Sequence, residues 1–372
     1  MLGFLWGQWA SLGVRASAFS HSNLAVDPEA LLLLTLECAR WDARFFDEVM
    51  DWLTVNHRWI NVVRLGALAE RDAICSRSVL GAVAAFLAKS DRTPKWRSLA
   101  EKSRPVDVGE PREFFQNVLK GPVEFPGAAD ELWLKYGWKR PAVEAREGPG
   151  TVTLDEARFM APTSFFLRAR GLFGVNIRAD AFAYLAIQSQ GANPTKIARE
   201  LGYSQRRVYD AVIEMASAGA FISHTDGKSI TYKIAPNFLS AFGFAEAPEW
   251  FDWRALARSW SGIWRGVFGL REGALTPFVL ESELQKILVA IENDVARFQS
   301  SAVSVTSDQV SRSGRRLLEV TRIPFAAFDW KRRWICREGE NDWPAGLQEQ
   351  LLKRWAEGDY HSGCERVFFS TD

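Results

Sequence analysis

Residues 193–215 read NPTKIARELGYSQRRVYDAVIEM, two short helical patterns hinged on one glycine, and the reading of that hinge decides the fold. Asn193 is placed to cap a helix with Pro194 at its first position. That helix should end at Leu201, where Gly202 supplies the left-handed residue that closes a helix without a Cβ penalty. Ser204 then caps a further helix, whose apolar positions Val208, Ala211, Val212 and Met215 recur at helical spacing. Gln205, Arg206, Tyr209 and Asp210 are left facing outward near its start. Tyr203 and Val208 stand where a hydrophobic staple would fix the angle between chain and helix.

Upstream, Arg178 to Gln190 is a helical pattern with Phe182, Leu185 and Ala186 on one side, and it stops at Gly191. Downstream, the chain passes Gly219 and alternates through Phe221 to His224 and Ser229 to Ile234, joined at Thr225-Asp226-Gly227-Lys228. Asp-Gly between β-patterned runs signals a hairpin, and Ile230, Tyr232 and Ile234 alternate with Thr231 and Lys233. The order is helix, helix, helix, hairpin. Ala198, Gly202 and Val208 sit four and six residues apart. Those intervals put a small residue where two helices touch, a glycine in the turn and an aliphatic anchor in the second helix.

With these features, residues 171–240 resemble a winged helix-turn-helix, similar to the MarR-like and ArsR-like bacterial regulators. The resemblance implies a central winged helix-turn-helix (three helices plus a β-hairpin), and with the helical patterns read in the rest of the chain the expected fold is mainly α, that unit flanked by helical N- and C-terminal regions. It also implies a cytoplasmic homodimer that binds double-stranded DNA and regulates transcription. Under it, Thr195 and Lys196 belong to the supporting helix, and Ser204, Gln205, Arg206, Arg207, Tyr209 and Asp210 to the recognition helix in the major groove. His224 and Lys228 lie on the wing, near backbone phosphate or the minor groove. Arg206 and Arg207 suit bidentate contact with guanine or phosphate, and the amides that open the helix favour phosphate oxygens. Winged-helix units also hold proteins. A protein partner, as in an antitoxin or adaptor of a two-gene defence module, is therefore the alternative.

The rest of the chain limits these readings. A length of 372 residues allows two or three domains with cores of their own, and 47% hydrophobic against 24% charged residues is a globular balance. The formal net charge is only +1, so attraction to an anionic partner has to come from local patches. Over 178–236 there are seven Lys or Arg and five Asp or Glu. Cys38, Cys75, Cys336 and Cys364 are far apart and form no CxxC pair, which fits reduced thiols in the cytoplasm. The strongly apolar run Ala30 to Leu34 is far too short for a bilayer, and the first 26 residues lack a basic segment ahead of their apolar stretch. Neither a membrane span nor a secretory signal is expected.

Four regions are expected. Residues 1–102 form a helical N-terminal domain: Asp27 caps a helix with Pro28 and Glu29 in its first turn, and apolar positions continue toward Leu53. A turn near Asn56 to Arg58 then separates amphipathic pieces around Asn61 to Glu70 and Ser76 to Ala88. This outline reads either as a second, degenerate helix-turn-helix or as a plain helical bundle. Residues 103–170 are a Pro/Gly-rich connector with one helix near 111–120 and a linker, EGPG, at 147–150. Residues 171–240 are the unit already described, and 241–372 a helical, Trp/Arg-rich region.

In that last region Trp253, Trp260 and Trp264 lie on one side of a helix, while Arg254, Arg258 and Arg265 form a basic stripe with no acid between 253 and 271. The stripe suits phosphate or an anionic membrane surface. The tryptophans suit a core or a dimer seam, with the arginines wet at its edge. Residues 312–337 carry eight bases and two acids interleaved with Phe325, Phe328, Trp330 and Trp334. They read as a nucleic-acid surface or as aromatic core.

No Walker A loop, dinucleotide-binding glycine run, HExxH or GxSxG occurs, so the chain is read as no enzyme, with no cofactor. Cys336, His361 and Cys364 lack a fourth ligand for zinc, and no metal is expected. Asp42, Asp47, Glu48 and Asp51 recur at helical spacing and read as a solvated face.

Overall fold

The computed structural model describes residues 2–14, 24–89, 94–117, 121–124, 127–141, 154, 156–227, 229–241 and 248–271, with parts of 279–297. The described chain is mainly helical. In order, the helices are α1 (Leu2–Ser11), α2 (Pro28–Cys38), α3 (Ala43–Asn56), α4 (Val62–Asp72), α5 (Arg77–Leu87), α6 (Pro94–Lys102), α7 (Glu131–Leu134), α8 (Glu156–Met160), α9 (Phe165–Phe173), α10 (Ile177–Ile187), α11 (Pro194–Leu201), α12 (Gln205–Ser217), α13 (Pro236–Ala241) and α14 (Trp253–Arg271). The strands are β1 (Arg112–Glu113), β2 (Gln116–Asn117), β3 (Gly121–Pro122), β4 (Trp138–Lys139), β5 (Phe221–Asp226) and β6 (Ser229–Ile234). No helix among the described residues is long and apolar enough to cross a membrane.

Asp27 caps α2 by accepting from the Ala30 amide, and every residue of α2 is buried. A helix apolar on all sides has to be wrapped, and α4, α5 and α14 pack around it. The apolar pattern does not carry one helix on toward Leu53. Asp42 adopts an extended conformation, accepts from the Phe45 amide to start α3 afresh, and takes the Trp6 indole N–H at 3.0 Å. Asp47 pairs with Arg140 at 2.5 Å. Two members of the acidic row read as a solvated face are thus a cap and an ion-pair partner.

The connector is not helical at 111–117. Arg112 pairs with Trp138 in the parallel β1–β4 contact, and β2 pairs antiparallel with β3, Gln116 opposite Pro122. The reason is the aromatic pair between the strands. Phe114 and Phe115 are both buried, Phe114 packs on Phe46, Trp133 and Trp138, and the Phe114 amide donates to Lys139 O. Extended backbone delivers both rings to that cluster, while Pro105, Gly109 and Pro111 discourage a helix before it. The EGPG linker lies outside the described residues.

A second core is built from α9 to α12 and the β5–β6 hairpin, around Phe166, Phe182, Ile197, Leu201, Val208 and Val212. The hairpin register runs from Phe221 opposite Ile234 to Asp226 opposite Ser229. Ala192, between α10 and α11, adds an antiparallel bridge to Tyr232, with paired hydrogen bonds of 2.9 and 3.0 Å. Gly191 makes that bridge possible: its φ is 73°, and an added Cβ would lie 2.5 Å from Tyr232 O.

The tryptophan helix decides between the two readings of Trp253 and Trp260 in favour of a core. Trp253 and Trp260 are 1% and 3% exposed, α14 packs on α2, and the Trp253 indole donates to Ala25 O at 2.7 Å. These two side chains fill this chain's own core and are not free to form a dimer seam. Arg254 and Arg258 are not a wet stripe either: Arg254 pairs with Asp72 and Arg258 with Asp294. The side chains of Trp264 and Arg265, the basic stretch 312–337, and Cys336, His361 and Cys364 lie outside the described residues.

Candidate nucleic-acid interface

The hinge forms as its residues require. Asn193 Oδ1 accepts from the Lys196 amide at 2.8 Å with Pro194 at the first helical position, and α11 closes where the Gly202 and Tyr203 amides both donate to Ala198 O, at 2.9 and 3.1 Å. Gly202 has φ 76°, and an added Cβ would sit 2.5 Å from the Leu68 side chain. A side chain here would be strained by the left-handed backbone and would have to displace the end of the Leu68 side chain. Ser204 holds the extended N-cap conformation of α12 but makes no side-chain capping bond. Its hydroxyl leaves the first amides of α12 open to an external acceptor.

On α12, Val208, Ala211, Val212 and Met215 are buried, while Ser204, Gln205, Arg206, Arg207, Tyr209 and Asp210 are exposed. Thr195 and Lys196 are exposed on the first turn of α11, and Gln205 Nε2 donates to Thr195 Oγ1 at 2.8 Å. Eight of the residues expected at the interface therefore share one surface, formed by the N-terminal turns of two helices. Among the described residues no ion pair engages Lys196, Arg206 or Arg207. Farther along α12, Glu214 is taken by Arg178. His224 is exposed on β5, two pairs before the last pair at Asp226 and Ser229, and its carbonyl accepts from the Thr231 hydroxyl at 3.3 Å. β5 runs further than the sequence suggested, through Asp226, while β6 keeps the expected Ser229–Ile234, and Gly227 has φ 58°. Lys228 lies outside the described residues.

Apolar groups also reach solvent here. Tyr209 and Ile213 follow each other one turn apart on α12, and Ile222 projects from β5 at 50% exposure.

What sequence reasoning missed lies behind this surface, in a buried polar network. Glu29 Oε1 accepts from the Asn61 amide and Arg170 Nη1, both at 2.7 Å, and its Oε2 from Arg64 Nη1 at 2.5 Å and Arg170 Nη2 at 2.7 Å. Arg64 also holds both oxygens of Asp27. Arg170 also holds both oxygens of Asp180, at 2.8 and 3.1 Å. The Tyr203 hydroxyl donates to Asp180 and accepts from the Asn61 side-chain amide. Burial alone would raise the Asp27 carboxyl, but the Arg64 charge and hydrogen bonds outweigh it and hold it below its ordinary value. Burial, followed by the Asp180 charge, pushes the Tyr203 phenol well up. The only sequence signal for this network was the Asp27 cap, which said nothing of Arg64 or Arg170.

Among the described residues no group of three or more His, Cys, Asp or Glu side chains is arranged to hold a metal. The surface offers hydrogen-bond donors and positive charge rather than a nucleophile with its base. Compared with known proteins, the chain matches no family model, no curated protein and no solved structure.

Proposed function

We propose that the unit spanning α9 to β6 is a winged helix-turn-helix, and that the chain is a transcriptional regulator that binds duplex DNA through it. The observation that carries this reading is the two-sided character of α12. Its inner face is buried, while Gln205, Arg206, Arg207 and Tyr209 stand exposed beside Thr195 and Lys196 at the start of α11. A helix presented in this way fits the major groove, with Arg206 and Arg207 available for guanine edges or phosphate and Lys196 for the backbone. The hairpin, with His224 near its end, supplies the wing. A homodimer on a palindromic site remains part of the proposal, but it has to pair through a surface other than Trp253 and Trp260.

The test is a titration of binding to random duplex DNA at stepped salt, read by fluorescence anisotropy. Log affinity should fall linearly with log salt, by about 0.9 for each phosphate contacted. Absence of binding at low salt would overturn the reading. A second reading, a protein partner in place of DNA, is favoured by the exposed Tyr209, Ile213 and Ile222. It predicts binding that barely responds to salt.

A further inference from the structure

Four consecutive main-chain carbonyls at the end of α11 and its turn each accept from a guanidinium of another helix. Arg254 Nη1 of α14 donates to Arg199 O, and to Glu200 O at 3.3 Å. Arg64 Nε of α4 donates to Leu201 O at 2.8 Å, and Arg71 Nη2, also of α4, donates to Gly202 O at 3.0 Å. Such carbonyls have no partner inside their own helix and form the negative end of its dipole, so three cations there are both hydrogen-bond partners and favourable charges.

The three arginines are themselves fixed from behind. Asp72, at the end of α4, receives Arg254 through both oxygens, at 2.9 and 3.0 Å, and Arg71 Nε at 3.3 Å. Arg64 is locked by Asp27 and Glu29. The next residue of the turn, Tyr203, is held through its hydroxyl by Asp180 and Asn61. Every residue from Arg199 to Tyr203 is thereby tied to a helix other than its own two, immediately before α12 begins.

We infer that Arg64, Arg71 and Arg254 are positioning residues, a guanidinium clamp that holds the α11–α12 turn against α4 and α14 and so sets the direction in which the outward row of α12 is presented. Where the clamp bears on DNA affinity, the inference rests on the reading under Proposed function. It assigns the flanking helices a part in recognition although none of their clamp residues lies in the outward row.

Arg71 is the accessible handle, since its side chain is 46% exposed and its removal leaves no buried carboxylate alone. Deuterium uptake by the full chain, read by mass spectrometry, should rise about tenfold in rate over residues 198–208 in Arg71→Ala and in Arg254→Ala, the factor expected for one charge-assisted hydrogen bond. Uptake in α5 and the melting temperature of Arg71→Ala should stay as in the wild type. Arg71→Lys, which keeps a donor for Gly202 O, should restore most of the protection. DNA affinity should fall about tenfold in Arg71→Ala and recover in Arg71→Lys. Unchanged uptake over 198–208 in both alanine variants, or uptake that rises equally throughout the chain, would overturn the clamp. Faster uptake with unaltered DNA affinity would overturn its positioning role. A wild type that does not bind DNA would overturn the proposed function instead, leaving exchange over 198–208 to decide the clamp.

Discussion

The Tyr203 hydroxyl donates to Asp180 Oδ2 at 2.6 Å, joining the residue after the hinge glycine to the middle of a buried ion network. Asp180 is itself held by Arg170, which reaches Glu29 of α2, so the hinge is chained to the first buried helix of the fold. Tyr203→Phe keeps the ring but removes the donor to Asp180 and the acceptor for Asn61. Stability should fall by about 1–3 kcal/mol in urea unfolding, the usual loss for a hydrogen bond to a buried charge. A loss too small to measure would show that water replaces the hydroxyl.

Arg206→Ala and Arg207→Ala should weaken DNA binding without shifting the melting temperature, because both residues are exposed. Where one of them contacts a base edge, discrimination between sites should drop by about 1–3 kcal/mol; a uniform loss across sequences assigns it to phosphate. Unfolding of either variant would place that arginine in the core.

Because β5 and β6 pair as far as Asp226 and Ser229, shortening the hairpin means removing paired residues rather than a slack loop. Replacing 225–230 by Asn-Gly keeps a turn-forming pair at the new end. The salt slope of DNA binding should flatten, since a wing makes mostly backbone contacts. An unaltered slope would mean the hairpin does not reach DNA.

Acid should act through Asp27. Its carboxyl in the fold lies below the ordinary value of 3.8, so its contribution to stability is present above that value and is lost as pH falls through the lower, folded one. Asp27→Asn should be less stable than the wild type at pH 7, and the two unfolding curves should converge as pH drops below about 4. A gap that stays constant down to acid would show that the asparagine loss is one of packing alone.

Trp260→Ala should lower stability by about 3–5 kcal/mol, as for a large side chain deleted from a core. Sedimentation of the variant should report the same oligomeric state as the wild type. A change from dimer to monomer without loss of stability would return Trp260 to an interface.

Much of the local structure was legible in the residues themselves. Asn193, Pro194 and Gly202 bound α11, Asp27 caps α2, and Asp-Gly marks the hairpin, because each of these effects acts over a few residues and depends on side chains next to the backbone they satisfy. The outward row Gln205, Arg206, Tyr209 and Asp210 followed from the same helical period that buries Val208 and Val212. Periodicity, however, says which side of a helix is apolar and not what covers it. Trp253 and Trp260 could have met a second chain, and only the packing of α14 on α2 turns them inward. The arginines are the sharper case: Arg64, Arg71 and Arg254 look like ordinary surface charges until the fold brings them to carbonyls 137, 131 and 55 residues away. An unpaired helix-end carbonyl accepts from any well-placed donor, and that placement is set by tertiary packing.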